Sequence, residues 1–245
     1  MDELTLHEYS DRRLNNAVAI VGFPSLGLIS SIATSFLAKE LELDLIASIT
    51  SPSFPPYAVV QNGVPMPPVR FYMGTRENVK DDGGIDCEDI VVITSEFVPK
   101  TEMFTALADV IVQWCHDNNV HTVITLDGIP QFTPEQYDII GVGSTERARE
   151  LMNTYGIESF DEGMVRGLSG MILVKAVDED LDVITLLGSA KQEMPDPRGA
   201  AKIMEPLAKM LPELKIDTEP LYKEAEDIEK RFTAPVSDTN DNIYG

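Results

Sequence analysis

Four side chains fall where the carboxyl ends of predicted strands would gather them: Ser25, Glu96, Asp127 and Ser144. Ligands of an open parallel sheet sit outside those strand ends. A hydroxyl beside a carboxylate there suits a phosphorylase- or hydrolase-like enzyme, or a small-molecule-binding module without catalysis. A Ser-His-Asp set lacks its base, because His7, His116 and His121 are the only histidines and lie elsewhere. Apart from Arg147 and Arg149 on a predicted helix, no basic cluster awaits a phosphate. Carboxylates placed like Glu96 and Asp127 are more often caps or loop hydrogen-bond acceptors than general bases. Gly22-Phe-Pro-Ser-Leu-Gly27 invites a phosphate cradle, yet it departs from G-x-G-x-x-G, lacks a P-loop lysine, and places Pro24 where a donor is wanted. It is expected to be a structural turn. Cys87 and Cys115 are isolated from each other and from any His-rich spacing, which leaves neither a metal motif nor a disulfide framework. The residues therefore predict no catalytic set, no cofactor and no metal.

These positions hang on a strand–turn–helix unit over residues 17–41. Ala17 to Val21 is a short apolar run suited to a strand buried on both faces. Ser25 is the expected cap of a helix whose apolar face runs through Ile29, Ile32, Ala33, Phe36 and Leu37. Further strands are expected over 43–49, 89–94, 121–126 and 182–189, and helices from Thr101, after Thr145 and from Leu168. Asp196 is the expected cap of a helix with Pro197 at its first position, and Pro206 should kink or interrupt that helix. Thr218 should cap the last helix. Tyr57–Gln61 and Val69–Met73 flank Asn62-Gly63 among six prolines, the pattern of a β-hairpin arm with protected edges. Such an arm is also a self-association surface. The alternation of Leu4 and Leu6 predicts an edge strand. The sum is an α/β fold with a largely parallel sheet flanked by helices, over residues 1–231. Residues 232–245, small, polar and turn-forming until Ile243-Tyr244-Gly245, are expected to form a flexible tail.

Composition narrows the partners. A formal charge of −22 makes the protein acidic and argues against nucleic acid and anionic membranes, both of which would repel it. No apolar run is long enough to span a bilayer, and MDELTLHEYS lacks a signal peptide's apolar core, so a cytoplasmic location is expected.

Taken in order, GFPSLGLISSIA at 22–33, LDGIP at 126–130, GVGST at 141–145, GLSGMIL at 167–173, PDPRGAA at 195–201 and IDTEPLYKEAEDIE at 216–229 resemble the proteasome assembly chaperone family as it occurs in archaea. The resemblance covers roughly residues 15–231. It implies a fold similar to that of nucleoside phosphorylases, a homo-oligomer, and a non-enzymatic role in building or binding the proteasome core particle. Some members end in a hydrophobic residue, a tyrosine and one last residue, as Ile243, Tyr244 and Gly245 do here. The resemblance assigns those three residues to docking in pockets between α-ring subunits. There an apolar side chain and a tyrosine ring fill the pocket, and a terminal carboxylate pairs with a lysine or backbone donors.

Overall fold

The strand predicted at the centre is buried along its whole length. In a computed structural model describing residues 4–76, 83–131, 138–192 and 194–233, β2 (Ala17–Gly22) follows the edge strand β1 (Thr5–Glu8) and leads to α1 (Ile29–Glu40). Next come β3 (Asp44–Thr50), the short strands β4 (Val59–Gln61) and β5 (Val64–Met66), and β6 (Val69–Thr75). β7 (Asp89–Ser95), α2 (Phe104–Asp117) and β8 (Val120–Pro130) complete the first half. The second half holds β9 (Ile139–Gly143), α3 (Glu146–Thr154), β10 (Glu158–Ser159), α4 (Gly167–Glu179) and β11 (Asp182–Ala190). Helices α5 (Pro197–Met210) and α6 (Glu219–Thr233) follow.

A nine-stranded sheet has the order β1-β3-β6-β7-β2-β8-β11-β9-β10. The expected parallel pairing occupies its middle, β7-β2-β8-β11, with β9-β10 also parallel. The flanks β1-β3, β3-β6, β6-β7 and β11-β9 are antiparallel. Alternation along β2 divides the interior. Ala17, Ala19 and Val21 join a cluster under α2 and α4; Val18 and Ile20 join a second cluster under α1, α3 and α5, closed by Leu221 of α6. Burial on both faces explains why the central strands read as unbroken apolar runs.

Several local expectations hold. β1 is an edge strand, α4 begins at Gly167, and Thr145 caps α3 by accepting from the Ala148 amide at 3.0 Å. Asp196 caps α5 by accepting from the Gly199 amide at 2.9 Å, with Pro197 at the first position. Pro206 does not end α5, which continues to Met210.

Other expectations are corrected. Neither Ser25 nor Thr101 caps its helix. A single 3-10 turn precedes α1 over Leu26–Leu28 and another precedes α2 over Thr101–Met103, so each hydroxyl sits a turn too early. The Ser25 hydroxyl pairs instead with that of Ser30. The hairpin is tighter than expected: Asn62 and Gly63, both at positive φ, join β4 to β5, while the 69–73 run forms β6 inside the main sheet. Its register places Val59 opposite Met66 and Gln61 opposite Val64.

Helix α1 lies so close on β2 that a Cβ at Gly22 would stand 2.5 Å from the Ser30 carbonyl oxygen and 2.5 Å from the Thr34 methyl. Gly22→Ala should therefore lower stability by about 1–3 kcal/mol, the usual effect of overfilling a packed interface. A urea unfolding midpoint unchanged from the parent's would mean that the contact between α1 and β2 is looser than described.

Candidate functional site

The carboxyl edge of the central strands was the place for a ligand, and the chain fills much of it itself. Leu26 of the 22–28 turn rests on β8, where a Cβ at Gly128 would meet the Leu26 carbonyl oxygen at 2.6 Å. The Asp196 amide donates to the Gly27 carbonyl at 2.8 Å, tying the same turn to the start of α5. The Lys191 amide donates to the Asp196 carboxylate at 3.0 Å. Ser25 is thus part of a strapped turn, as the sequence predicts, with its hydroxyl engaged by Ser30.

Asp127 lies within β8 rather than in a loop after it, because pairing with β11 continues as far as Pro130 opposite Ala190. Its carboxylate accepts from the Gly128 amide at 2.7 Å and from the Ser169 hydroxyl of α4. Burial pushes its pKa up to about 6, against the lowering effect of those two hydrogen bonds.

Glu96, just past β7, is held by Arg70, a side chain whose importance the sequence reading missed. Arg70 is fully buried. Its Nη1 donates to Glu96 Oε2 at 2.9 Å and to the Pro67 carbonyl at 2.9 Å, its Nη2 donates to Glu96 Oε1, and its Nε donates to the Tyr72 hydroxyl at 2.9 Å. The Tyr72 hydroxyl in turn donates to Gln61 Oε1 at 3.1 Å. Burial alone would lower the Arg70 pKa, but the Glu96 carboxylate and Tyr72 outweigh it and leave the pKa above its ordinary value. This chain ties the β4–β5 arm to the main sheet. It engages Glu96 structurally and leaves no free base.

Ser144 is not with the other three. β9 runs antiparallel to β11, so the residue after it arrives at the opposite edge. There its hydroxyl donates to the Leu181 carbonyl at 2.7 Å and accepts from the Val183 amide at 2.8 Å. Arg147 pairs with Asp182 at 3.2 Å, and Arg149 donates to the Gly143 carbonyl at 3.1 Å. The histidines are not with Glu96 and Asp127: His116 lies at the end of α2, His121 at the start of β8, and His7 on β1, three strands out from β7 with its Nε2 2.8 Å from the Thr50 hydroxyl. Both cysteines are buried and neither forms a disulfide; the Arg76 guanidinium donates to Cys87 Sγ at 2.9 Å, and burial pushes the Cys115 thiol up to about 12. Trp114 belongs to the core, as its stripe predicts, edge-on to Phe71 with ring centroids 4.8 Å apart.

Grooves of about 670, 540 and 230 Å³ open among the described residues, and none of these three has Ser25, Glu96 or Asp127 in its wall. The first lies between β1 and α2, the second along the prolines at 52–68, the third beside Leu43 and Gly74. Among the described residues no group of three or more His, Cys, Asp or Glu could hold a metal ion, and no helix is long and apolar enough to cross a membrane. Ile243, Tyr244 and Gly245 lie outside the described residues.

The family model described as PAC2 family matches residues 19–234. An uncharacterized protein of Methanocaldococcus jannaschii is 30% identical over 232 residues, covering 95% of this chain and 90% of that protein. The crystal structure of Pyrococcus furiosus PbaA, an archaeal homolog of proteasome-assembly chaperone, superposes with a TM-score of 0.80 at 32% identity, covering 94% of this chain and 95% of the other. That of Pyrococcus furiosus PbaB, an archaeal proteasome activator, gives 0.79 at 21% identity over 95% and 98%, a likeness of fold alone.

The raised pKa of Asp127 makes a prediction about stability. A carboxyl whose folded pKa exceeds its unfolded one contributes stability that is fully present below the unfolded value, near 3.8, and lost as pH rises through about 6. Asp127→Asn keeps the acceptor and removes the charge. It should raise the thermal midpoint at pH 8, by about 1–3 kcal/mol in free energy, and bring little or no gain at pH 4. An equal gain at both values would show that the carboxylate is well solvated.

Proposed function

The chain belongs to the PAC2 family, and from that membership we propose that it is a proteasome assembly chaperone or core-particle-binding factor rather than an enzyme. The observation that carries this reading is the likeness to PbaA, at 32% identity over nearly the full length of both chains. The carboxyl edge of the sheet agrees with it, because the polar residues there serve as straps, caps and an ion pair.

The contact we assign to Ile243, Tyr244 and Gly245, which dock between α-ring subunits of the core particle. Ile243 and Tyr244 supply the apolar filling, and a carboxylate at Gly245 pairs with a lysine or backbone donors. The body is residues 1–231 and the tail 232–245. Treated as a flexible coil, the ten or so residues between Thr233 and Asn242 have a root-mean-square span of roughly 16–19 Å, enough to reach a pocket while the body stays outside. Several tails on one homo-oligomer gain from effective concentration, so weak single contacts give firm attachment. For self-association the arm offers Val60 and Val64, 67% and 52% exposed.

Capture of purified α-subunits by the immobilised full chain tests the docking. Tyr244→Ala should weaken capture at least about tenfold, as loss of a buried aromatic anchor does, and one residue added after Gly245 should weaken it nearly as much. Capture equal to the parent's by both variants would move any proteasome contact to the body of the domain. A second measurement tests the assembly. Val60→Glu with Val64→Glu should convert the oligomer to monomer in sedimentation at both low and high salt, and an unchanged oligomer would remove the arm from the interface.

A further inference from the structure

The sheet ends on one side at the four-residue strand β1, whose outer side no described strand covers. β1 pairs on one side with β3 and is the last strand of the sheet on that margin. It carries Thr5, Leu6, His7 and Glu8, with neither the proline nor the lysine that commonly blunts an edge. Leu6 and Glu8 alternate onto the α2 side of the sheet and line the groove of about 670 Å³ between β1 and α2. Val110 and Trp114 complete its apolar floor. This groove is where the inward side chains of an added strand would go.

The rim is acidic. Asp109 and Glu179 share Lys175, whose Nζ lies 3.1 Å from one and 3.5 Å from the other. Glu8 and Asp117 have no lysine or arginine partner: Trp114 Nε1 lies 3.1 Å from Glu8, while Gln113 Nε2 at 2.9 Å and the exposed His116 Nδ1 at 3.5 Å face Asp117. Each carboxylate has lone pairs to spare, and Asp117 is largely exposed. An apolar floor with two carboxylates still open to a cation matches a strand that alternates apolar and basic side chains.

From this juxtaposition we propose that the free side of β1 takes an extended, lysine- or arginine-bearing segment of another protein as an additional strand. Backbone hydrogen bonds to β1 hold the segment, an apolar side chain enters the groove over Trp114, and its cations meet Glu8 and Asp117. A second copy of this chain is a poor occupant, since 41 acidic against 19 basic residues would be brought to an acidic rim. The contact uses no residue of the tail and does not depend on the tail's docking.

Trp114 is the chain's one tryptophan, so it reports on this groove directly. The full chain is titrated with a short amidated peptide alternating lysine and valine, with its glutamate–valine counterpart, and with a lysine–valine peptide N-methylated at alternate residues to remove strand donors. The lysine–valine peptide should shift Trp114 emission saturably, and the other two should not. Glu8→Gln with Asp117→Asn keeps the acceptors for Trp114 and Gln113 while removing both charges. It should weaken the peptide roughly tenfold, the sum of two partly screened ion pairs, with an unchanged thermal midpoint. Equal binding of the N-methylated peptide would reduce the contact to charge alone and overturn the proposal. So would parental affinity in the double variant, or peptide binding without any change in Trp114 emission.

Discussion

The structure depends on the burial of β2 between two neighbours and two layers of helices. Its side chains from Ala17 to Ile20 have no exposure at all. Such a strand cannot tolerate an unpaired backbone group, and pairing with β7 on one side and β8 on the other satisfies it. The same burial brings α1 down onto Gly22. The Thr34 hydroxyl donates to the Ser30 carbonyl at 2.9 Å and pairs with that of Thr94 on β7 at 2.8 Å, a polar seam within an apolar layer. Position of the 22–28 turn, and so the filling of the carboxyl edge, follows from that seam. The turn can descend onto β8 only because Gly128 leaves room for Leu26.

Much of this was legible in the sequence, and the failures share a cause. Where one short-range signal decided the outcome, the reading held: the apolar run of β2, the Asp196-Pro197 cap, the helix after Thr145 and the alternation of Leu4 and Leu6. It failed where two signals competed. Ser25 and Thr101 look like caps, but a 3-10 turn intervenes in each case, and nothing local distinguishes a helix that starts at once from one that starts a turn later. The sequence reading joins Tyr57–Gln61 through Asn62-Gly63 to the apolar run Val69–Met73, whereas the partner strand is Val64–Met66, with Pro65 inside it. An isolated hairpin of two short strands tolerates a proline that a central strand would not. The antiparallel direction of β9, which sends Ser144 to the other edge, depends on partners distant in sequence.

The candidate site was the least legible part, and for a definite reason. Ser25, Glu96 and Asp127 do reach one edge, yet sequence spacing cannot say which polar groups are already satisfied. Arg70 decides the matter for Glu96. In the run Val69-Arg-Phe-Tyr-Met73 it looks like the solvent-facing residue of a half-buried strand. Instead the arm and the prolines around it cover the guanidinium, and Glu96 becomes its counter-ion. A signal was available: an arginine flanked by buried aromatics needs a carboxylate, and Glu96 is two residues beyond Thr94, the residue paired with Arg70 across β6 and β7.

Charge sets the remaining constraint on how such a chain meets others. Fields from a net −22 act over about 8 Å at physiological ionic strength and oppose close approach of another acidic body. Any contact between copies would have to come from short-range apolar fits, and the exposed Val60 and Val64 of the arm are side chains of that kind. Cations are in shorter supply, and several are engaged by the chain's own carboxylates: Arg70 on Glu96 in the interior, Arg147 on Asp182 and Lys175 between Asp109 and Glu179 at the surface. A protein organised in this way keeps its basic groups for its own architecture and presents carboxylates outward.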